Sequence, residues 1–321
     1  MTFSKVRPIF IVGVHRSGTT LLRYMLGSHS LIYIPPESDF IPYFFSRDPG
    51  GELSGEQVAS NLRTIFERYR FVKEWQGDPP DPAQFARSLP DRTPASFLDA
   101  LYSAYARQYG AVRWGDKTPI YASYIDLIHE IFPGAQFLHI IRDGRDAALS
   151  MLDKYERDEF HVDIFFAARN WVRRIRSAQA AGSRIGPKLY YELRYESLID
   201  DPETELRAVC AFLGESFEPG MIEYHQTARE RIPADSHFFS NVRNPLSRQR
   251  VGRWRQGLDV ADQRLVQYVA GKLLTELGYA LADIGPMSVP ERVRLAVLAV
   301  KYATLQSGRR VLQAFGLFPP I

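Results

Sequence analysis

A single cysteine, Cys210, occurs in the 321 residues, and it lies inside an apolar helical pattern. Disulfides within the chain and cysteine-rich metal sites are thereby excluded, and the composition fits a reducing compartment. Long apolar runs are missing as well. No stretch approaches the roughly 18 uninterrupted apolar residues of a membrane-spanning helix. The first run, Ile9-Phe10-Ile11-Val12, is shorter than the apolar core of about 7–15 residues in a secretory leader, and it leads straight into a glycine loop. The expectation is a soluble, cytoplasmic protein, with membrane association left open. Charge of one sign is equally scarce: 40 Lys plus Arg against 37 Asp plus Glu leave a net +3. A surface built for nucleic acid is not expected, so any anion site must be local. There is no internal repeat and no low-complexity tract.

What is present is ample material for a core, with 45% hydrophobic and 13% aromatic residues. Short β-branched and aromatic runs at Pro8–Val12, Ala111–Trp114, Gln136–Ile141 and Leu189–Tyr195 alternate with helical periodicity. The alternation predicts an α/β fold, a three-layer arrangement of a parallel sheet with helices on both faces. Helices are expected near 96–109, 119–132, 144–153, 163–182, 203–213 and 260–277. Between 46 and 96 the composition turns to Gly50-Gly51 and a proline series around one helix, Gly55 to Trp75, which reads as an insertion or lid. The expected organisation is one domain over 1–285 and a basic amphipathic helix within 286–321. That helix, 289–316, has Val293, Val297 and Val300 on one stripe and Arg292, Arg294, Lys301, Arg309 and Arg310 elsewhere.

The first strand runs into Gly13-Val14-His15-Arg16-Ser17-Gly18-Thr19-Thr20, followed by Leu21, Leu22, Met25 and Leu26 at helical spacing. Glycines at 13 and 18 let the backbone curl so that its N–H groups converge, and the following helix adds the positive end of its dipole. Such a nest binds anions. A glycine-rich turn capped by Thr19 or Thr20 is the plainer alternative. The frame fits the nucleotide-hydrolase loop except that Thr19 stands where the lysine belongs, with Arg16 supplying the charge instead. His15 has no assigned role. A second anion grip is expected after the strand Phe137–Ile141. There Arg142-Asp143-Gly144-Arg145-Asp146 opens a helix carrying Ser150. The alternative is an arginine–aspartate network that only caps the helix.

The segment Gly13 to Leu22 resembles the 5′-phosphosulfate-binding loop of sulfotransferases that use 3′-phosphoadenosine 5′-phosphosulfate (PAPS), closest to the tyrosylprotein and carbohydrate branches. The resemblance implies a P-loop-like sulfotransferase fold, PAPS as co-substrate, 3′-phosphoadenosine 5′-phosphate (PAP) as product, and no metal. It assigns the 5′-phosphosulfate to Arg16, Ser17, Gly18, Thr19 and Thr20, and the 3′-phosphate to Arg142 and Ser150. Tyr191 to Leu198 is similar to the family's tyrosine-bearing strand end, with Tyr195 the matching position near the nucleotide. Val251-Gly252-Arg253-Trp254-Arg255 resembles the cofactor-closing loop, which implies that Arg253 and Trp254 touch the nucleotide.

Sulfuryl transfer needs a base for the acceptor proton and a cation where charge develops. Glu37, after Pro35-Pro36, matches the base of the tyrosylprotein enzymes, although the segment could equally start a helix. Lys117, in Trp114-Gly115-Asp116-Lys117-Thr118-Pro119, matches a family lysine near the reacting group. Asp39 departs from the tyrosylprotein pattern, which has arginine there. Pro119 and Ile120 follow Lys117 where cytosolic relatives have their catalytic histidine. The implied acceptor is a hydroxyl, less readily an amine, on a small molecule, carbohydrate or lipid. A P-loop kinase or a non-catalytic nucleotide-binding protein of the same fold are the competing readings. Beyond the acceptor, the terminal helix offers packing on the domain, a homodimer contact or peripheral membrane contact. No nucleic-acid partner is expected.

Overall fold

The structure, a computed structural model, describes residues 7–155, 162–232 and 242–314. Its centre is a sheet of β1 (Ile9–Gly13), β2 (Ile32–Tyr33), β3 (Arg113–Lys117), β4 (Gln136–Ile141) and β5 (Tyr190–Arg194), in the order β2-β3-β1-β4-β5. All four pairings are parallel. Parallel strands are joined by crossovers that cover both faces of the sheet, so β1, in the middle, is buried over its whole length. The loop after β1 therefore opens at the centre of the sheet's carboxyl edge, where α/β folds bind ligands.

Strand alternation divides the core in two. Phe10 and Val12 join Trp114 and Phe137 on one face, while Ile9 and Ile11 join Leu138 and Ile140 on the other. The first face is aromatic: Phe10 stacks on Phe137 at 5.5 Å, and Trp114 lies 4.5 Å from Tyr102. The second is closed by Leu22, Met25 and Leu26 of the helix Thr19–Leu26. A third cluster, around Trp171 and Trp254, joins the helices Gly144–Tyr155, Ile164–Ile185 and Val260–Glu276.

Several local expectations differ from what is found. The expected strand Ala111–Trp114 lies instead at Arg113–Lys117. Asp116 and Lys117 look like turn residues, yet both are buried, with Asp116 accepting from the Tyr102 hydroxyl at 2.6 Å. The expected helix Gly55 to Trp75 stops at Arg68; Tyr69 turns extended and a 3-10 turn, Arg70–Glu74, follows. A further helix, Pro82–Ser88, forms inside the proline series because Asp81 caps it and Pro82 occupies its first position, where no N–H is needed. Tyr195, expected at a strand end, opens the helix Tyr195–Asp200.

The segment 46–96 is built into the domain. Val58, Leu62, Ile65, Phe71 and Phe85 are buried in the same cluster as Phe10 and Trp114. Its 3-10 turn is drawn inward by Glu74, which pairs with the buried Arg23 at 2.7 Å and accepts from the Tyr33 hydroxyl at 3.1 Å. Arg23 also donates to the Ile34 carbonyl at 2.8 Å, so the first helix, β2 and the insertion share one charge centre. Removing one partner of a buried pair strands the other. Glu74→Ala is expected to destabilise the fold by about 3–5 kcal/mol, whereas Glu52→Ala, which breaks the exposed pair with Arg92, should cost under about 1 kcal/mol. Urea unfolding of the two variants measures the contrast.

Candidate active site

β1 ends at Gly13, where a side chain would meet the Ile140 carbonyl oxygen at 2.8 Å. The chain then turns sharply. Ser17 N donates to the Val14 carbonyl at 3.1 Å, and Arg16 and Gly18 take left-handed conformations, φ 72° and 98°. Gly18 precedes the helix Thr19–Leu26 without offering a side-chain cap, which leaves that helix's first amides without an intrahelical acceptor. Directly in front is a cavity of about 260 Å³ lined by Arg16, Gly18, Thr19, Thr20, Arg142, Ser150, Tyr195 and Arg250, among others. The Ser17 hydroxyl is buried without a partner. Convergent amides, hydroxyls and three arginines suit a phosphorylated ligand.

Arg142, at the end of β4, ties this loop to distant segments. One terminal nitrogen donates to the Arg16 carbonyl at 3.0 Å and the other to the Arg250 carbonyl, while Nε is buried with no partner. Its guanidinium lies 4.6 Å over the Tyr195 ring. That ring in turn packs on Gly18, so closely that a Cβ there would stand 2.4 Å from Tyr195 Cδ2. Arg16 Nε donates to the Ser150 hydroxyl at 3.0 Å. The two anion motifs, with Arg16 and Arg142 126 residues apart in sequence, thus form a single basic wall, and the cavity brings Arg16, Gly18, Thr19, Thr20, Arg142, Ser150 and Tyr195 together.

Arg253 and Trp254 stand apart from the cavity lining. Trp254 is buried in the third cluster with the Arg145 guanidinium 3.8 Å over its ring, and Arg253 pairs with Asp153 at 2.5 Å. Asp146 fixes the backbone of this segment: its carboxylate accepts from the amides of Gly252 at 2.7 Å and Trp254 at 2.8 Å. The same segment instead supplies Arg250, Gln249 and Ser247 to the cavity. Arg250 lies immediately before the segment Val251 to Arg255 and had no role assigned from the sequence. Tyr224 and Asn244, also in the lining, carried no signal in the sequence.

Thr20 connects the cavity to the second group of residues. Lys117 Nζ donates to Thr20 Oγ1 at 3.3 Å and to Glu37 Oε1 at 2.5 Å. Glu37 is held in place by its neighbour: Ser38 N donates to Thr118 Oγ1 at 3.1 Å, and the Ser38 and Tyr121 hydroxyls are 2.7 Å apart. Burial pushes the Glu37 carboxyl up, but the Lys117 ammonium outweighs it, with smaller help from His15 and Arg70, and holds the group at about 2. Burial lowers Lys117, opposed by Glu37. Burial, with Arg174 nearby, pushes the His15 imidazole down to about 3, so it is neutral at ordinary pH. Desolvation and the Glu37 and Asp116 carboxylates push Asp39 up to about 6. Asp39 also takes a left-handed backbone, φ 55°. Among the described residues, no group of three or more His, Cys, Asp or Glu is placed to hold a metal ion.

The family model described as "Sulfotransferase family" matches residues 8–219. An uncharacterized protein of Aquifex aeolicus is 28% identical over 255 residues, which are 78% of this chain and 30% of that protein. A putative protein-tyrosine sulfotransferase of Caenorhabditis briggsae is 23% identical over 287 residues, 87% of this chain and 91% of the relative. The omega-hydroxy-beta-dihydromenaquinone-9 sulfotransferase Stf3 of Mycobacterium tuberculosis is 26% identical over 260 residues, 68% of this chain and 66% of the relative. Among solved structures, the sulfotransferase domain from the curacin biosynthetic pathway superposes with a TM-score of 0.60 at 20% identity, covering 87% of this chain and all of that one. This last likeness is one of fold.

Asp146 is predicted to hold residues 250–254 on the site. Asp146→Ala removes the acceptor of two amides, so hydrogen exchange at Gly252 and Trp254 should accelerate at least about tenfold while amides of β1 and β4 stay protected.

Proposed function

The chain belongs to the sulfotransferase family, and from that premise we propose that it moves a sulfuryl group from PAPS to an acceptor hydroxyl, with Glu37 as the base. One observation carries the reading. The Lys117 ammonium touches both Thr20, in the wall of the anion cavity, and Glu37, so a cation and an ionised carboxylate stand together at the end of a phosphate-binding loop. The unpartnered Ser17 hydroxyl and Arg142 Nε supply unused donors for the nucleotide's phosphate oxygens.

In this reading the acceptor oxygen forms a bond to sulfur as the bond from sulfur to the 5′-phosphate oxygen breaks. The electron pair stays on the phosphate of PAP, and the acceptor proton passes to the Glu37 carboxylate. Arg16 and the loop amides face the charge on the transferring group, while Lys117 meets the charge that grows on the leaving oxygen. Arg142, with Ser150 beside Arg16, holds the 3′-phosphate.

For the acceptor, the relatives' names span protein tyrosine and an omega-hydroxy-beta-dihydromenaquinone, so they do not choose. Asp39 favours one side. It stands two residues from Glu37, at the position where the tyrosylprotein pattern has arginine, so when ionised it presents the opposite charge there. A small-molecule, carbohydrate or lipid hydroxyl fits better.

Transfer of label from radioactive PAPS to a panel of glycans, lipids, phenols and peptides tests the activity. Absence of transfer to every member would leave only a binding role. Glu37→Gln should retain PAP affinity and lose about a hundredfold or more in turnover; undiminished turnover removes Glu37 as base. Arg142→Ala should instead weaken PAP binding by about tenfold or more. Since Glu37 stays ionised down to about 2, falling pH does not protonate it in the working range. Asp39, at about 6, gains its proton there instead. Any acid limb of kcat/KM near that value should therefore disappear in Asp39→Asn.

A further inference from the structure

The helix Val289–Ala314 is fastened to the body by one face only. Leu295, Leu298, Ala299 and Tyr302 pack on the third cluster, with the Tyr302 ring 5.8 Å from Phe165. Three ion pairs hold it in register: Glu291 with Arg264 at 2.9 Å, Arg294 with Asp262 at 2.7 Å, and Lys301 with Asp163 at 2.9 Å. The opposite face is apolar and open. Val293, Val297 and Val300 are 59%, 62% and 67% exposed, and Val311 extends the same line at helical spacing. A lone exposed valine needs no explanation, whereas a stripe along several turns marks a contact surface.

Charge identifies the occupant. From Arg292 to Ile321 the sequence contains Arg292, Arg294, Lys301, Arg309 and Arg310 and no acidic residue. The whole chain carries +3, so the residues before Arg292 sum to −2. We infer that the outer face of this helix docks on an anionic lipid surface, with the valines entering the headgroup boundary and the exposed Arg292 meeting lipid phosphates, while Arg294 and Lys301 keep their pairs with Asp262 and Asp163. A second copy fits less well, because self-pairing would set one wholly basic helix segment against another. The helix lies in the plane of the surface; among the described residues none is long and apolar enough to cross a membrane. The inference stands apart from the proposed reaction, since none of its residues touches the anion cavity.

Co-sedimentation of the full chain with phosphatidylcholine vesicles, with and without an equimolar share of phosphatidylserine, tests it. Binding should require phosphatidylserine and fall with salt. Arg292→Glu should weaken it at least about fivefold, and the double variant Val297→Asp, Val300→Asp should abolish it while the thermal melt stays that of the parent chain. Two results would overturn the inference. One is failure to bind phosphatidylserine vesicles, whether the chain is monomeric or forms a dimer that the double variant dissociates. The other is undiminished vesicle binding by a folded double variant.

Discussion

The Arg142 guanidinium is where three remote stretches of the chain meet: the loop after β1, the end of β4, and residues 250–254. A buried cation must have its N–H groups engaged, and Arg142 meets that demand largely with neutral acceptors, the carbonyls of Arg16 and Arg250, and with the face of Tyr195. The nearest carboxylate, Asp146, lies 3.7 Å away and is itself committed to the amides of Gly252 and Trp254. The positive charge is thus held in place without being fully cancelled. That is the condition an anion site requires, and it explains why a chain with a net charge of only +3 can concentrate Arg16, Arg142 and Arg250 around one cavity.

The same junction constrains its neighbours. Tyr195 can lie under Arg142 only because residue 18 has no side chain, and glycine takes the left-handed turn there, at φ 98°, without the strain a side chain would add. Gly18 therefore serves the turn and the close approach of a ring at once. Asp146 has a similar double duty, facing Arg142 and fixing the segment that provides Arg250. The site is assembled from residues whose structural and binding roles cannot be separated.

Much of this was legible in the sequence, for a physical reason: the parts that suit a phosphate group are short and local. A strand, a glycine loop and a helix must be contiguous, so Gly13 to Thr20 declared itself, as did Arg142 at the end of an evident strand. Residues that act through the tertiary fold did not. Trp254 resembles a nucleotide contact by its neighbours in sequence, but Asp146, more than 100 residues earlier, decides which way its backbone turns. Asp116 and Lys117 read as a turn because hydropathy treats charge as exposed. Their burial depends on Tyr102 and Glu37, which no local pattern includes. Tyr224 and Asn244 reach the cavity from segments without any motif.

The pairing of Glu37 with Lys117 raises a question of its own, since a strong ion pair makes a weak base. Holding Glu37 at about 2, against its ordinary 4.5, represents about 3 kcal/mol of extra stabilisation of the carboxylate. A base so stabilised resists taking a proton. On the reading proposed for the reaction, the difficulty resolves if Lys117 has two competing acceptors. As negative charge grows on the leaving oxygen, the ammonium is drawn towards it and away from Glu37, and the carboxylate recovers basicity at the moment the acceptor proton must leave. Burial of Lys117 makes this competition sharp, because water is not at hand to replace the lost partner. Without a donor bound, the same ion pair satisfies the buried Lys117 ammonium and keeps the base idle.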